Sequence, residues 1–316
     1  MLRKYLCEAR CRLRLRPVDP VLIKSGYASL GSVDMEPVRI SRGTGGQPVA
    51  YFPGTSLKGV FRSHIERIAR TLKPGSVCLP YYDPEKADKI LVPEPGERKS
   101  YGCSYRISGQ VSSAVAYDQS CAACRMFGSL KFTGRFSVSD AYPEPDKMPA
   151  YVKRDGVGID RFTGGTVHAV LFNLEAVCGG EFTCDVRLVN FEPYQLAALY
   201  FLICDLRDQM LTIGMGASRG FGRVEAEVDW FKLNYARHVE ELRCLGDLAA
   251  SEDREAYGLQ VWAPPEVPKL ANGTQRGLRW EYDITERWED LLSPYAPAFA
   301  AFLEEHPGLI GEPRGR

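Results

Sequence analysis

Residues 9–16 read ARCRLRLR, and this short stretch decides how the fold begins. The apolar Cys11, Leu13 and Leu15 alternate with four arginines at positions 10, 12, 14 and 16. Successive side chains of a strand point to opposite faces, so this period of two predicts a half-buried strand. Its arginine face is either a solvated surface or, because four like charges repel each other, the seat of an anionic partner.

Outward from this strand, apolar residues spaced three and four apart from Leu57 to Leu72 predict a helix that is capped by Thr55 or Ser56 and ended by Pro74-Gly75. A second helix is predicted to begin at Pro193, because proline is favoured in the first turn of a helix. Further strands are predicted where apolar and polar residues alternate or apolar residues cluster, namely over 132–139, 169–177 and 223–228.

The resulting order is strand, helix, strand, strand, helix, strand, which predicts an α+β fold of the ferredoxin-like (RRM-like) type. Two turn-rich stretches interrupt this order, an insertion over 76–128 and an excursion over 142–168. The sequence therefore predicts one elaborated core over 1–236 and an extension over 237–316.

The composition is that of a globular protein, with 45% hydrophobic and 25% charged residues in 316, so wholesale disorder is excluded. The most apolar stretch, Leu196 to Leu206, contains Asp205 and is too short to cross a bilayer, so no membrane partner is expected. The first residues lack an uninterrupted apolar signal segment, which predicts a cytoplasmic protein. Ten cysteines in a reducing compartment then indicate metal or core roles.

The charge is unevenly distributed although the net formal charge is zero. Residues 237–316 hold nine basic and fifteen acidic residues, which leaves a surplus of six positive charges on 1–236. A basic body with an acidic tail favours a polyanionic partner for the body.

Four cysteines fall within or beside the turn-rich insertion. Cys121 and Cys124 have the CxxC spacing of half a zinc site, and Cys78 and Cys103 precede them. An insertion without a core of its own needs a cross-link, so we predict a structural zinc ion on these four thiolates. Four unrelated thiols, or a site in which His64 replaces one cysteine, are the alternatives.

Two further segments have the residue types that bind phosphate. Ser56 and Lys58 lie in the first turn of the first predicted helix, where free N–H groups favour an anion, and Arg62 is one turn further on. The loop 214–222 carries Gly216 and Gly220, which allow a ligand to approach the backbone closely. It also carries Arg219, whose guanidinium can donate two hydrogen bonds to a phosphate. Ordinary capping and an ordinary turn are the alternatives.

Several motifs together resemble the CRISPR-associated RAMP superfamily over about residues 1–230. Within that superfamily, their order is similar to the guide-RNA-binding backbone subunits of type III effector complexes, with most likeness to subtype III-D. The motifs are Phe52-Pro-Gly-Thr-Ser-Leu-Lys-Gly-Val-Phe-Arg62, Met126-Phe-Gly-Ser129, Gly134-Arg135, Ser139-Asp140, Ile159-Asp-Arg161 and Gly214–Gly222.

The resemblance implies a role for the excursion. In the family this region forms a β-hairpin thumb that bends over the guide RNA and interrupts its pairing with the target. Lys153, Arg154 and Arg161 would contact phosphates, with Phe162 or Val157 wedged against a displaced base. The implied partners are guide RNA (crRNA), single-stranded target RNA and other subunits of the effector complex.

The resemblance also implies an endoribonuclease activity on the target. Asp34 matches the family's catalytic aspartate within Ser32-Val-Asp-Met-Glu-Pro-Val38, and Glu36 is a rival carboxylate. The implied reaction is attack of a ribose 2′-hydroxyl on the adjacent phosphate. Asp34 would bind a divalent metal (Mg or Mn) or assist removal of the proton.

Three other functions stay open at this point. The first is a structural backbone subunit in which Asp34 is not catalytic. The second is a stand-alone RAMP endoribonuclease that processes precursor guide RNA with His64 as general base. The third is a zinc protein that binds another nucleic acid.

Overall fold

The computed structural model describes residues 3–26, 33–41, 46–79, 102–107 and 109–306, and most of the first half of the predicted insertion therefore lies outside the described residues. The fold is α+β with antiparallel sheets. The strands are β1 (Cys7–Pro17), β2 (Arg39–Ile40), β3 (Val49–Ala50), β4 (Gly128–Ser129), β5 (Phe132–Thr133), β6 (Phe136–Val138), β7 (Tyr142–Pro143), β8 (Tyr151–Ile159), β9 (Thr166–Val177), β10 (Phe182–Val189), β11 (Val224–Tyr235), β12 (Thr274–Arg276) and β13 (Arg279–Asp283). The helices are α1 (Gly54–Leu72), α2 (Cys103–Arg106), α3 (Ser113–Asp118), α4 (Ala122–Phe127), α5 (Pro193–Arg207), α6 (Leu245–Leu248), α7 (Ser251–Ala256), α8 (Trp288–Leu292) and α9 (Pro297–Glu305).

Strand β1 lies at the centre of a seven-stranded sheet with the order β12-β13-β11-β1-β10-β6, and β7 pairs with β10. It pairs antiparallel with β10 along one edge and with β11 along the other. The predicted period of two is confirmed, since Cys11, Leu13 and Leu15 are at most 1% exposed and the arginines between them are half-buried. The apolar face packs into the main core, and the arginine face is open.

Helices α1 and α5 contact each other and the strands of this sheet. Both were predicted, and α5 begins at Pro193 as expected. The start of α5 is fixed by Glu192, whose backbone N–H donates to Oε1 of Gln195 at 3.1 Å, closing a capping box.

The predicted cap of α1 is wrong. The helix begins at Gly54, and the first N–H is satisfied by Oδ1 of Asp140, 2.7 Å away and 86 residues later in the chain. A side chain at position 54 would place a Cβ 2.6 Å from the carbonyl oxygen of Val138, so only glycine lets the helix start here.

The prediction that 169–177 belongs to the central sheet is also wrong. This stretch lies in β9, which pairs with β8 in a separate two-stranded hairpin. The sheet position beside β1 belongs to β10, whose residues Phe182, Cys184, Val186 and Leu188 are all at most 2% exposed. Both segments are apolar enough for a strand, and only β10 alternates fully towards the core.

The C-terminal segment, predicted as an extension over 237–316, adds strands to the same sheet. Strand β13 pairs with β11, β12 pairs with β13, and α9 packs on α5. Within the described part of the chain, no helix combines the length and the apolar character that crossing a bilayer requires.

Candidate RNA interface and metal centre

The four predicted cysteine ligands come together beside α1 and α4. The Sγ atoms of Cys78, Cys103, Cys121 and Cys124 lie within 4.8 Å of one another, and all four residues are buried. Cys78 Sγ is 3.5 Å from Cys124 Sγ and 3.7 Å from Cys121 Sγ. A tetrahedral site with metal–sulfur bonds of about 2.3 Å places its sulfur atoms about 3.8 Å apart, so this group fits a metal such as zinc.

Donors around the sulfur atoms complete this arrangement. The N–H of Cys121 donates to Cys103 Sγ at 3.3 Å, and the N–H of Cys124 donates to Cys121 Sγ at 3.4 Å. Arg62 donates from Nη2 to Cys124 Sγ at 3.3 Å. Such N–H···S contacts stabilise negative thiolates and orient metal ligands.

Arg62 therefore has protein partners where a phosphate contact was predicted. Besides Cys124, its guanidinium donates to Glu66 Oε1 at 2.8 Å and to the carbonyl of Gly128 at 3.1 Å. Burial disfavours the charged form, yet Cys124 and Glu66 outweigh it and raise the pKa of Arg62. The side chain joins α1 to the cysteine group, so we leave it out of the proposed RNA-contacting set.

His64 faces away from the cysteine group. Its Nε2 lies 2.5 Å from Oδ2 of Asp205 on α5, and its Nδ1 lies 2.7 Å from Arg67. The ring is only 7% exposed. His64 consequently joins α1 to α5 and does not replace a cysteine among the four sulfur atoms.

Asp34 lies in an exposed loop that runs along β9. The N–H of Asp34 donates to Oδ1 of Asn173 at 2.7 Å, and Oδ2 of Asp34 accepts the N–H of Asn173 at 2.9 Å. The next residue, Met35, bridges Leu174 in parallel pairing. The hairpin thus holds the loop, and Asp34 remains exposed.

The hairpin β8–β9 carries the predicted thumb residues. Lys153 and Arg154 lie along β8, and Arg161 and Phe162 lie in the exposed turn. Phe162 is fully exposed. The turn is ordered by Asp160, whose carboxylate accepts the N–H groups of Thr163 and Phe162, and these donors hold the pKa of Asp160 below its ordinary value.

The glycine-rich loop contains a turn over Ala217–Arg219 between two left-handed residues, Gly216 (φ 85°) and Gly220 (φ 75°). Only glycine adopts this conformation without strain, which accounts for both positions. Arg219 is exposed on this turn. Phe221, the next large residue, turns inward and is 7% exposed.

A second hydrophobic cluster joins these three segments. It consists of Leu22, Leu174, Ala176 and Phe221, with Met35, Val152, Phe172 and Met215 packed around it. The cluster brings together the Asp34 loop, the base of the hairpin and the glycine-rich loop. The guanidinium carbon of Arg154 lies 5.1 Å from the centre of the Phe221 ring, so this predicted RNA-contacting residue stands directly on the cluster.

Ser56 and Lys58 lie at the N-terminus of α1, which is not part of this cluster. Lys58 is half-buried and has no ion-pair partner among the described residues, and burial followed by the charge of Arg62 lowers its pKa. The Asp140 carboxylate already occupies the N–H of Gly54, so an anion here would have to share this helix end with a negative charge.

The idea that the arginine face of β1 needs an anionic partner is wrong for three of its four arginines. Arg12 pairs with Asp185 at 2.7 Å, Arg16 pairs with Glu181 at 2.9 Å, and Arg14 lies 3.4 Å from Glu181. Carboxylates on the adjacent strands β10 and β11, and on the residue just before β10, neutralise the row. The alternation within β1 gave no sign of them, because they come from sequence positions more than 150 residues away.

Sequence reasoning missed Asn173 and Phe221, which position Asp34 and the hairpin. Asn173 sits in the middle of a strand pattern, and nothing in its neighbours marks its pairing with a loop 139 residues earlier. Phe221 was visible within the glycine-rich loop, and an aromatic residue between glycines could have been taken as a packing anchor.

The sequence model of the RAMP superfamily matches residues 16–225, well over half of the chain. This range contains the cysteine group, the hairpin, Asp34 and the glycine-rich loop. The chain therefore belongs to the RAMP superfamily, a CRISPR-associated family. A search among curated proteins finds no match to the chain.

Proposed function

We propose that this chain is a guide-RNA-binding backbone subunit of a type III CRISPR effector complex, in the III-D-like group, that positions and cleaves complementary single-stranded target RNA. The observation that carries the proposal is the second hydrophobic cluster. It unites an exposed aspartate, a projecting hairpin and a glycine-rich loop, three segments far apart in the sequence.

The surface around this cluster has the chemistry of a single-strand RNA groove. Lys153, Arg154, Arg161 and Arg219 supply positive charge for phosphates, and all four are exposed. Gly216 and Gly220 let a backbone approach the turn closely. Phe162 at the hairpin tip offers a bare ring that can stack on a base or displace one.

The same proposal includes a ferredoxin-like core. Strands β11, β1, β10 and β6 are adjacent and antiparallel, and helix α1 follows β1 while helix α5 follows β10. This arrangement supports a core over 1–236, with the acidic segment 237–316 as an extension that docks other subunits of the complex.

Zinc is the metal that we propose for the four cysteines. Four thiolates in a closed, buried group match structural zinc, which has no open coordination position and takes no part in chemistry. Its role would be to fix the 76–128 insertion against α1, through Arg62 and Cys124.

Asp34 is the residue that we propose for target cleavage. A target nucleotide displaced by the hairpin would present its 2′-hydroxyl in line with the adjacent phosphate. The 2′-oxygen would lose its proton and bond to phosphorus as the P–O5′ bond breaks, giving a 2′,3′-cyclic phosphate and a 5′-hydroxyl that takes a proton from solvent. Asp34 would take up the proton or hold the divalent ion (Mg or Mn) that stabilises the phosphate charge. Asn173 would keep its carboxylate in place.

The test is cleavage of a matched target RNA by complexes assembled with Asp34→Asn. We expect cleavage to fall by about 10²–10⁴-fold, the usual contribution of a general acid–base group. Binding of guide and target should stay unchanged, because asparagine can still accept the N–H of Asn173. Asp146→Asn, which removes an exposed carboxylate away from the loop, is the matched control. Glu36→Gln tests the rival carboxylate.

One observation favours a second function, that of a non-catalytic backbone subunit. The reciprocal hydrogen bonds between Asp34 and Asn173 give the aspartate a purely structural use. In that case complexes assembled with Asp34→Asn would cleave target RNA at the same rate as wild-type complexes. Asp34→Ala would loosen the hairpin without changing the pattern of cleavage. The stand-alone nuclease is not proposed, because His64 is buried against Asp205.

A further inference from the structure

The projecting hairpin has two faces of different chemistry. Residues of β8 and β9 that are directly opposite in register share a face, and successive residues alternate between the two faces. The packed face lies on the second hydrophobic cluster and carries Val152, Phe172, Leu174 and Ala176. The outer face carries the polar residues Lys153, Asp155, Asn173 and Glu175.

Asp34 belongs to the outer face of the hairpin. The segment that carries it runs along β9, where Met35 bridges Leu174 in parallel pairing and packs with it in the second cluster. Successive residues of an extended segment point to opposite faces, so Asp34 lies on the side away from the cluster. The reciprocal hydrogen bonds between Asp34 and Asn173, an outer-face residue, agree with this placement.

The two basic residues of β8 consequently lie on different faces. Arg154 is on the packed face, with its guanidinium carbon 5.1 Å from the centre of the Phe221 ring in the glycine-rich loop. Lys153, the preceding residue, is exposed on the outer face with Asp34. The sequence of β9 contains no lysine or arginine, so Lys153 is the residue of these types that the two described strands bring to the side of Asp34.

The spacing of the strands leaves room for a phosphate between Lys153 and Asp34. Neighbouring strands lie about 4.8 Å apart, so the backbone of Asp34, two strands away from β8, is roughly 10 Å from it. Asn173, between them, holds the Asp34 carboxylate through its N–H at 2.9 Å. Glu175, the cross-strand neighbour of Lys153, pairs with Arg39. A lysine ammonium on its flexible four-carbon stem can reach across this distance towards a ligand held at Asp34.

The proposed cleavage needs positive charge at this place. Attack of the 2′-oxygen increases the negative charge on the non-bridging oxygens of the phosphate, and stabilising such charge is often the largest contribution to catalysis. The Asp34 carboxylate is itself negative and repels that charge. Where Asp34 takes up the proton, a separate cation on the same face lowers the barrier, and an ammonium group is a compact point charge for phosphate oxygens.

We infer that Lys153 is a catalytic residue of target cleavage, whose ammonium group donates to a non-bridging oxygen of the cleaved phosphate. Asp34 takes up the proton of the 2′-hydroxyl, the P–O2′ bond forms as the P–O5′ bond breaks, and solvent protonates the 5′-oxygen, so no proton passes through Lys153. Arg154 contacts the guide from the packed face. The inference rests on the proposed function and adds to it a division of roles between the two faces of the hairpin.

The experiment is single-turnover cleavage of a matched target RNA by assembled complexes that carry Lys153→Met. We expect the rate at saturating complex to fall by about 10²-fold, as when one group that stabilises an oxyanion is lost, and Lys153→Arg to restore part of it. Lys269→Met, which removes an exposed lysine of the C-terminal segment, is the matched control and should cleave at the wild-type rate. The thermal unfolding midpoint should be unchanged in these variants, because both side chains are exposed.

A sulfur atom in place of one non-bridging oxygen at the cleaved phosphate separates catalysis from a structural role. One phosphorothioate diastereomer should slow the wild-type complex, because sulfur accepts hydrogen bonds poorly, and should have little further effect in Lys153→Met. A sulfur effect of equal size in the two complexes, or wild-type cleavage by Lys153→Met, would overturn the inference. Guide loss from Lys153→Met as large as from Arg154→Gln would also overturn it, because Lys153 would then be a guide contact.

Failure of the proposed function gives a different result. A wild-type complex that does not cleave, or Asp34→Asn that cleaves at the wild-type rate, removes the proposed cleavage and this inference with it. Loss of cleavage in Asp34→Asn together with full activity in Lys153→Met removes only the role of Lys153.

Discussion

The chain has two hydrophobic clusters that differ in construction. The main core is built from long elements, β1, β10, β11, α1 and α5, and it extends without a break to the four buried cysteines. The second cluster has four buried residues in the part of the chain that the structure describes, and it is built from a loop, a hairpin base and a glycine-rich turn. The difference suggests that the main core determines whether the chain folds, whereas the small cluster determines where the candidate site residues lie.

The largest expected effect is on the metal end of the main core. Removal of zinc with a strong chelator, or Cys124→Ser, leaves an uncompensated buried thiolate group. A loss of about 5 kcal/mol, half or less of what structural zinc contributes to small domains, would lower Tm by roughly 8 °C in a chain of 316 residues. Thermal unfolding and metal analysis check this result.

Cys204→Ser, at a half-buried cysteine outside the group, is the matched control and should leave Tm and zinc content unchanged. A purified chain without bound metal, or one whose Tm is insensitive to the chelator, would contradict the zinc assignment.

A smaller and more informative effect should come from one phenylalanine in each cluster. Phe61 is 1% exposed in the main core, and Phe61→Ala should cost about 3–5 kcal/mol of global stability. Phe221→Ala, in the small cluster, should release the hairpin locally at little global cost. Hydrogen exchange at residues 172–176 should accelerate in Phe221→Ala before any change in Tm.

If Phe221→Ala lowered Tm as far as Phe61→Ala, the proposed difference between the two clusters would be contradicted. If Phe221→Ala reduced both target cleavage and the hydrogen-exchange protection of the hairpin, the result would support the role of the small cluster in holding Asp34.

The smallest expected effect concerns pH. Glu181 is 4% exposed, and although burial disfavours its charge, Lys147 and Arg16 outweigh burial and lower its pKa. A carboxyl whose pKa is lower in the folded state stabilises the fold above its unfolded pKa, and this contribution is lost as pH falls through the folded pKa. Stability should therefore decline below about pH 4.5.

In Glu181→Gln this part of the acid decline should be absent, and stability at pH 7 should fall by about 1–3 kcal/mol, the usual contribution of hydrogen bonds to a charged group. Denaturant unfolding between pH 3 and pH 7 measures both. Parallel pH profiles for the two proteins would show that Glu181 is not responsible.

Local patterns in the sequence sufficed for much of the main core. The alternation in β1, the apolar stripe of α1 and the proline at the start of α5 depend on neighbours within a few residues, and the structure confirms them. The four cysteines were also recognisable, because tetrahedral coordination needs that residue type regardless of the intervening chain.

The sequence failed where a residue's partner is distant. The carboxylate that caps α1 belongs to Asp140, and the acids that neutralise the arginines of β1 belong to β10, to β11 and to Glu181 just before β10. Strands β9 and β10 have similar apolar content, and only the choice of partner separates a hairpin from a sheet strand. Such pairings follow from tertiary packing, which no local pattern encodes.

The ion pairs on the open face of β1 have a consequence for the thermodynamics of polyanion binding. The affinity of a protein for a nucleic acid falls with salt because bound phosphates release condensed counterions, one for roughly each cation that replaces them. Arg12, Arg14 and Arg16 are already neutralised by carboxylates, so their participation would gain little from this release. The salt dependence of RNA affinity should therefore count the cations of the hairpin and the glycine-rich loop, and omit Arg12, Arg14 and Arg16 of β1.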